Sequence, residues 1–318
     1  MIERPDADAL MAGPLGEWLT AQNGERAAVK AKVSRLRKLA VGAGIAVFAV
    51  LAILWDAEAA LKLGAVVGFG GFALAELAKR PMLDKLKGGI NGAIAKALGL
   101  EYSVTVEPGE TFERAKTFEM LPSYDDSKFS DLWWGLVGGR PFTMHEARLT
   151  EQQGSGKSRR TVVVFEGSIM SLGFNRRFLG TTVLEPDNRR RKWLVGAEKE
   201  SCTIGGEELQ RIDMADPRFE ERFTVWSNDQ VESRYLVHPE YLERLLAVET
   251  AFAGQDIRAL FHGGDLLIAL KTGDLFESGS LDADDDRTLL AQTITQFGSL
   301  ADLALALQER ERAGFGSG

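Results

Sequence analysis

Leu39–Trp55, LAVGAGIAVFAVLAILW, is a run of 17 residues without a charge, and its reading decides the fold. A helix of that length covers ~26 Å at 1.5 Å rise per residue, slightly under the apolar thickness of a bilayer. A second apolar stretch runs from about Ala59 to Leu77, with an uncharged centre of 13 residues, Leu63–Ala75. Thirteen residues would also suit a buried core helix. Two features favour a second span instead. The first run needs a return path, and Lys62 and Glu76 stand near the ends of the second, where a lysine can reach the interface.

The flanking charges agree with a hairpin. Arg26, Lys30, Lys32, Arg35, Arg37 and Lys38 precede the first run; Lys79, Arg80, Lys85 and Lys87 follow the second; only Asp56, Glu58 and Lys62 lie between. Positive charge stays on the cytoplasmic side, which predicts cytoplasmic termini and a very short outer turn. The first run starts too late for a cleaved signal peptide and reads as a retained anchor. Gly64 and Gly68 make a G-x-x-x-G pair, and Ala40 and Gly44 a small-x-x-x-small pair. Small residues let helices approach closely in lipid, either within the hairpin or between two copies in a homodimer.

The division expected is a cytoplasmic segment 1–38, a transmembrane hairpin 39–78, an amphipathic helix 79–101, an α+β domain 102–280, and a C-terminal helix and tail 281–318. In 79–101, Leu83, Leu86, Ile90, Ile94 and Ala97 recur at helical spacing from Pro81 onward. That face suits the inner membrane surface or the following domain equally well. The formal net charge of −8 is uneven: residues 1–101 carry +3 and residues 102–318 carry −11. A domain of that sign repels a phosphate backbone, so nucleic acid is not an expected partner. One Cys and three scattered His exclude a disulfide framework and argue against a metal site; no cofactor is expected.

Beyond Glu101 the pattern is α+β with a mostly antiparallel sheet. Strands are expected at Glu101–Val106, Thr161–Phe165, Gly180–Leu184 and Lys192–Gly196, and a short helix at Lys128–Leu136. Helices follow Pro217 and Pro239, a residue suited to a first turn. Ile257–Phe261 and Leu266–Leu270 flank a turn at 262–265. Asp282, Asp284, Asp285 and Asp286 precede a last helix with an apolar face of Leu290, Ile294, Phe297, Leu300, Leu303 and Leu307, and read as a cap.

Catalytic motifs fail on spacing. Gly154-Ser-Gly-Lys-Ser158 lacks the required glycine at position 151, which is Glu, and lies between two strands, so it reads as a hairpin tip. His145-Glu146 has no second His, and no G-x-S-x-G elbow presents a Ser. Cys202 reads as buried. Asp229, Glu232 and Arg234 form a polar cluster that could be a site or a buried ion pair. If the strands between 141 and 198 form successive hairpins, alternate turns share one end of the sheet. That would gather Lys157, Arg159 and Arg160 with Arg189, Arg190, Arg191 and Lys192, a surface for anionic lipid or a partner.

Three blocks carry a family resemblance. Phe165-Glu-Gly-Ser-Ile169 with Phe174-Asn-Arg-Arg-Phe-Leu-Gly-Thr-Thr-Val183 is the first. Asp216-Pro-Arg-Phe-Glu-Glu-Arg-Phe-Thr-Val-Trp-Ser-Asn-Asp-Gln-Val-Glu-Ser-Arg-Tyr-Leu-Val-His-Pro239 is the second, and Asp274-Leu-Phe-Glu277 the third. Over roughly residues 70–280 the chain resembles the bacterial membrane-protein family DUF3137, a domain of unknown function. The resemblance implies an inner-membrane protein with a cytoplasmic α+β domain; it supplies no activity and no catalytic residues. The functional expectation is a membrane-tethered, non-enzymatic binding or scaffold protein, contacting anionic lipid or an envelope or membrane protein. The alternative is a membrane-bound hydrolase using Asp229, Glu232 and Arg234. Two short spans without a central charge argue against a transporter or channel.

Overall fold

The computed structural model describes residues 4–54, 56–174, 177–186, 200–214, 217–273 and 279–315. It divides into a helical unit, Asp6–Ala93 with Glu277–Ala291, and a sheet unit, Met1–Pro5 with Ile94–Phe276 and Gln292–Gly318.

The helical unit opens with α1 (Ala7–Ala12), capped by the Asp6 carboxylate on the Asp8 amide, and α2 (Pro14–Ala21), which has Pro in its first turn. Two long helices follow, α3 (Asn23–Leu54) and α4 (Ala57–Ala97). Where the sequence suggests a new helix at Pro81, α4 continues through it for 41 residues in all. The apolar face beyond Pro81 is buried within the protein at Met82, Leu86, Ile90 and Ile94. In its middle the Trp18 ring occupies the space beside Gly89, where a Cβ would lie 2.2 Å from Trp18 Cη2, so glycine here serves close packing.

The aspartate run before α9 (Asp286–Phe315) does more than cap it. Asp286 forms a buried ion pair with Arg26 at 2.8 Å, with the two side chains 3% and 2% exposed. Burial raises the Asp286 carboxyl above the usual carboxylate range, although Arg26 opposes this. Around it stand exposed pairs, Lys30–Asp282, Arg287–Asp8 and Lys85–Glu25, at 3.1, 2.6 and 2.5 Å. The first two join α3 and α1 to the segment before and at the start of α9, and the third joins α4 to α3, though each exposed pair contributes little alone.

The sheet unit is built on one ten-stranded antiparallel sheet. Its strands are β1 (Leu100–Ser103), β2 (Asp126–Val137), β3 (Arg140–Gln153), β4 (Arg160–Gly173), β5 (Thr182–Pro186), β6 (Ser201–Ile204), β7 (Glu207–Ile212), β8 (Phe223–Ser227), β9 (Gln255–His262) and β10 (Asp265–Lys271). Their spatial order is β1-β2-β3-β4-β10-β9-β5-β8-β7-β6. The α+β, antiparallel reading therefore holds, with two corrections. Residues 128–136 form part of β2 and no helix. The strands after 141 are not successive hairpins, because β10 and β9 lie between β4 and β5. The expected strand at 192–196 falls outside the described residues.

Both faces of the centre are covered, so every residue of Leu266–Leu270 is buried, as expected for an inner strand. On one face α5 (Glu110–Thr117) sets Phe112 and Ala115, with Phe118 beyond its end, against Ala147, Leu149, Ile169, Trp226, Leu260 and Leu267. On the other, Tyr241 of α8 (Pro239–Ala251) lies 5.3 Å from Phe261, and Phe178 packs edge-on to the same ring. Burial pushes the Tyr241 hydroxyl well above its usual range. Phe297 of α9 stacks on Trp133 of β2 at 4.1 Å. The helix expected after Pro217 is the single turn α6 (Pro217–Glu220).

Candidate functional site

The two longest blocks quoted from the sequence meet side by side. β5 pairs with β8 from Thr182–Ser227 to Pro186–Phe223. Trp226 donates its indole N–H to Glu185 Oε1 at 2.9 Å, which lets a buried carboxylate and a buried indole satisfy each other. The Ser227 hydroxyl contacts Thr182 Oγ1 at 3.0 Å, lies 2.9 Å from the Thr181 carbonyl and accepts from the Asp229 amide at 3.0 Å.

Beyond β8 the chain turns into α7 (Gln230–Leu236). Asp229 caps it, its Oδ1 accepting from the Val231 and Glu232 amides at 3.0 and 2.8 Å. Glu232 points back into the protein. Its Oε2 accepts from the backbone amides of Leu179 and Gly180 at 2.7 and 2.9 Å, and Asn228 Oδ1 accepts from the Thr181 amide at 2.7 Å. A Cβ on Gly180 would lie 2.5 Å from Asn228 Oδ1, so the loop before β5 sits flush against the start of α7. Charge-assisted bonds of this kind are the strong class.

This arrangement decides what the predicted cluster does. Asp229 and Glu232 adjoin but serve different amides, one capping a helix and the other strapping a loop. Arg234 is exposed and meets neither carboxylate among the described residues. Both carboxylates are engaged by backbone donors, an arrangement that holds conformation. Ser227, Asn228 and Glu185 complete the network. All three lie in or beside the quoted blocks, where their polar character was visible but their pairing was not.

Among the basic turns, Gly156–Ser158 is a short 3-10 turn at the tip of the β3–β4 hairpin, with Gly154 and Gly156 at φ 91° and 57°. This is the geometry of a tip and not of a phosphate-cradling loop before a helix. Arg159 and Arg160 are exposed there, with Lys157 beside them in the chain. Arg189, Arg190, Arg191 and Lys192 lie outside the described residues. Cys202 is buried in the core, and no cluster of His, Cys, Asp or Glu suited to a metal occurs among the described residues.

His145, which forms no metal motif in the sequence, has a structural place. It is buried on β3 between Phe129 and Phe112, with ring centroids 5.9 and 6.3 Å away. Burial pulls its imidazole down to about 4. It lies on the face of β3 that carries Ala147 and Leu149 into the core.

The helices α3 and α4 are each long and apolar enough to cross a membrane. Leu39, Val41, Ile45, Phe48, Val50 and Ile53 on one, and Leu63, Val66, Phe69, Phe72 and Leu74 on the other, face outward. Ala40, Gly44, Gly64 and Gly71 face the partner helix. A Cβ on Gly44 would meet the Gly64 carbonyl at 2.8 Å, one on Gly64 would meet the Gly44 carbonyl at 2.8 Å, and one on Gly71 would meet Ala40 Cβ at 2.6 Å. Gly64 and Gly68 thus line a seam within the hairpin. At one end of the seam Arg37 pairs with Glu76 and lies 4.8 Å over the Phe72 ring, while Lys79 reaches Glu76 at 2.5 Å. At the other, Lys62 pairs with Glu58 at 2.6 Å.

Residues 163–308 match the model of the family DUF3137, described as a protein of unknown function. No curated protein matches the chain. A crystal structure of the mycobacterial trehalose monomycolate transport factor A, TtfA, is similar to it at 11% identity and a TM-score of 0.34, covering 68% of this chain and 95% of that one.

Proposed function

We propose that this protein is a membrane-tethered, non-enzymatic binding or scaffold protein. In this reading α3 and α4 form a two-span hairpin in a bacterial inner membrane, both termini are cytoplasmic, and the sheet unit meets a protein partner or anionic lipid. The observation that carries the reading is the direction of the apolar side chains: Gly44, Gly64, Gly68 and Gly71 line the contact between α3 and α4 while the large residues face out. A hairpin folded for water would bury those residues, since contiguous apolar patches beyond a few hundred Å² mark interaction or membrane surfaces. The basic residues bordering both helices fit the cytoplasmic side.

The test has two parts. Alkaline extraction of membranes from cells making the full chain should leave it in the pellet; release into the supernatant overturns the tether. In a Cys202→Ser background, Ala57→Cys should react with a membrane-impermeant maleimide in intact cells, and Ser280→Cys only after lysis. The reverse pattern overturns the topology.

A further inference from the structure

Outside the apolar hairpin, three large hydrophobic side chains stand exposed among the described residues: Leu136, Leu179 and Val231. Leu179 and Val231 are each 83% exposed, and both adjoin the buried Glu232 carboxylate. The Leu179 amide donates to it, and Val231 is its neighbour in the chain. The loop that carries Leu179 is therefore held from behind by Glu232 and Asn228, with Gly180 admitting no side chain. Its backbone is fixed while its side chain projects, so little ordering remains to be done on contact.

Two exposed cations stand beside these tips. Arg177 is exposed two residues before Leu179, and Arg234 is exposed one helical turn beyond Val231, on the same face of α7. Neither is ion-paired with a described residue. The nearby carboxylates are turned to donors within the protein: Asp229 to two amides, Glu232 to two more, and Glu207 to the Asn228 side chain at 2.9 Å. In a stretch of chain with a net charge of −11 (residues 102–318), this spot presents two cations around two projecting apolar groups.

We propose that Leu179 and Val231, flanked by Arg177 and Arg234, form a lipid-contact knob that dips into a bilayer surface carrying anionic headgroups. The inference rests on the tethered reading and gives the bound surface its chemistry. Both tips are 83% exposed, and the backbone of Leu179 is held from behind, which suits insertion into lipid. Apolar tips with cations at headgroup level are the combination that binds an anionic interface.

The experiment uses the full chain in a Cys202→Ser background, with Val231→Cys carrying an environment-sensitive fluorophore. The protein is reconstituted in nanodiscs of phosphatidylcholine alone or mixed with phosphatidylglycerol. With phosphatidylglycerol the emission should move to the blue and be quenched by spin-labelled lipid. Arg177→Gln with Arg234→Gln should lower the contact equilibrium constant roughly thirty-fold, the weight of two cations near a charged surface. Unchanged amide exchange at Gly180 shows that the variant keeps the loop.

Water-like emission in both kinds of disc overturns the knob. So does a shift equal in both discs and insensitive to the arginines. Shielding found only in native membrane vesicles overturns the lipid assignment in favour of a protein partner. Failure of the chain to enter discs at all refutes the tether instead, which keeps the two readings apart.

Discussion

His145 gives the fold a calculable sensitivity to acid. Its imidazole sits between aromatic rings on β3, and burial pulls it from 6.5 to about 4. A depressed histidine means that the unfolded chain binds a proton the folded chain refuses. Stability is therefore fully present above about pH 6.5 and is lost as pH falls toward about 4. At 1.36 kcal/mol per pH unit the whole gap is worth ~3 kcal/mol, of which about 2 kcal/mol is lost between about pH 7 and about pH 4.5. The assay is chemical unfolding of the full chain in detergent at those two pH values, for the parent and for His145→Leu. Carboxylates titrate in both proteins, so their effects cancel in the comparison. The parent should lose about 2 kcal/mol more than the variant on acidification. Equal losses would show that His145 can be protonated in place and would refute the reasoning.

Glu232→Ala removes the acceptor of two charge-assisted bonds and should cost about 2–4 kcal/mol, read as a lower melting temperature and faster amide exchange at Leu179 and Gly180. Asp286→Ala leaves Arg26 buried without its partner and should cost about 3–5 kcal/mol in thermal unfolding; pairing Arg26→Met with Asp286→Leu should recover most of it. Gly44→Val drives a side chain into the Gly64 carbonyl and should cost about 1–3 kcal/mol. The loss should appear as a lower midpoint in unfolding of the chain in detergent, and an unchanged midpoint refutes the close approach.

The apolar hairpin was legible because its signal is compositional: long uncharged runs with charges at their ends survive any local irregularity. The β9–β10 hairpin was legible because two unbroken apolar runs flank a short turn. β2 was hidden by a single residue. Its register slips between Ser130 and Trp133, and Asp131 takes φ 58° with its carboxylate accepting from the Tyr102 hydroxyl. That bulge turns alternation into the spacing of Phe129, Leu132, Trp133 and Leu136, which imitates a helix. Pro81 misled in the other sense, because a proline ends most helices but α4 tolerates this one. At the polar cluster, Asp229 caps the next helix locally, but the partners of Glu232 are amides 53 and 52 residues earlier, before β5, and no spacing rule connects them.

The strand order bears on how the protein is made. β1 to β4 and β5 to β8 can each assemble from nearby sequence, but each assembly then ends in a bare edge, β4 in one and β5 in the other. The strands that close the gap, β9 and β10, are translated last: β10 pairs with β4 across about a hundred residues, and β9 with β5. They act as a keystone. A ribosome that stops before Gln255 releases two half-sheets with open hydrogen-bonding edges, each a template for pairing with another chain. The slow event in folding is then the arrival of this last hairpin, and nonsense mutations late in the gene should yield aggregates and not a shortened working protein.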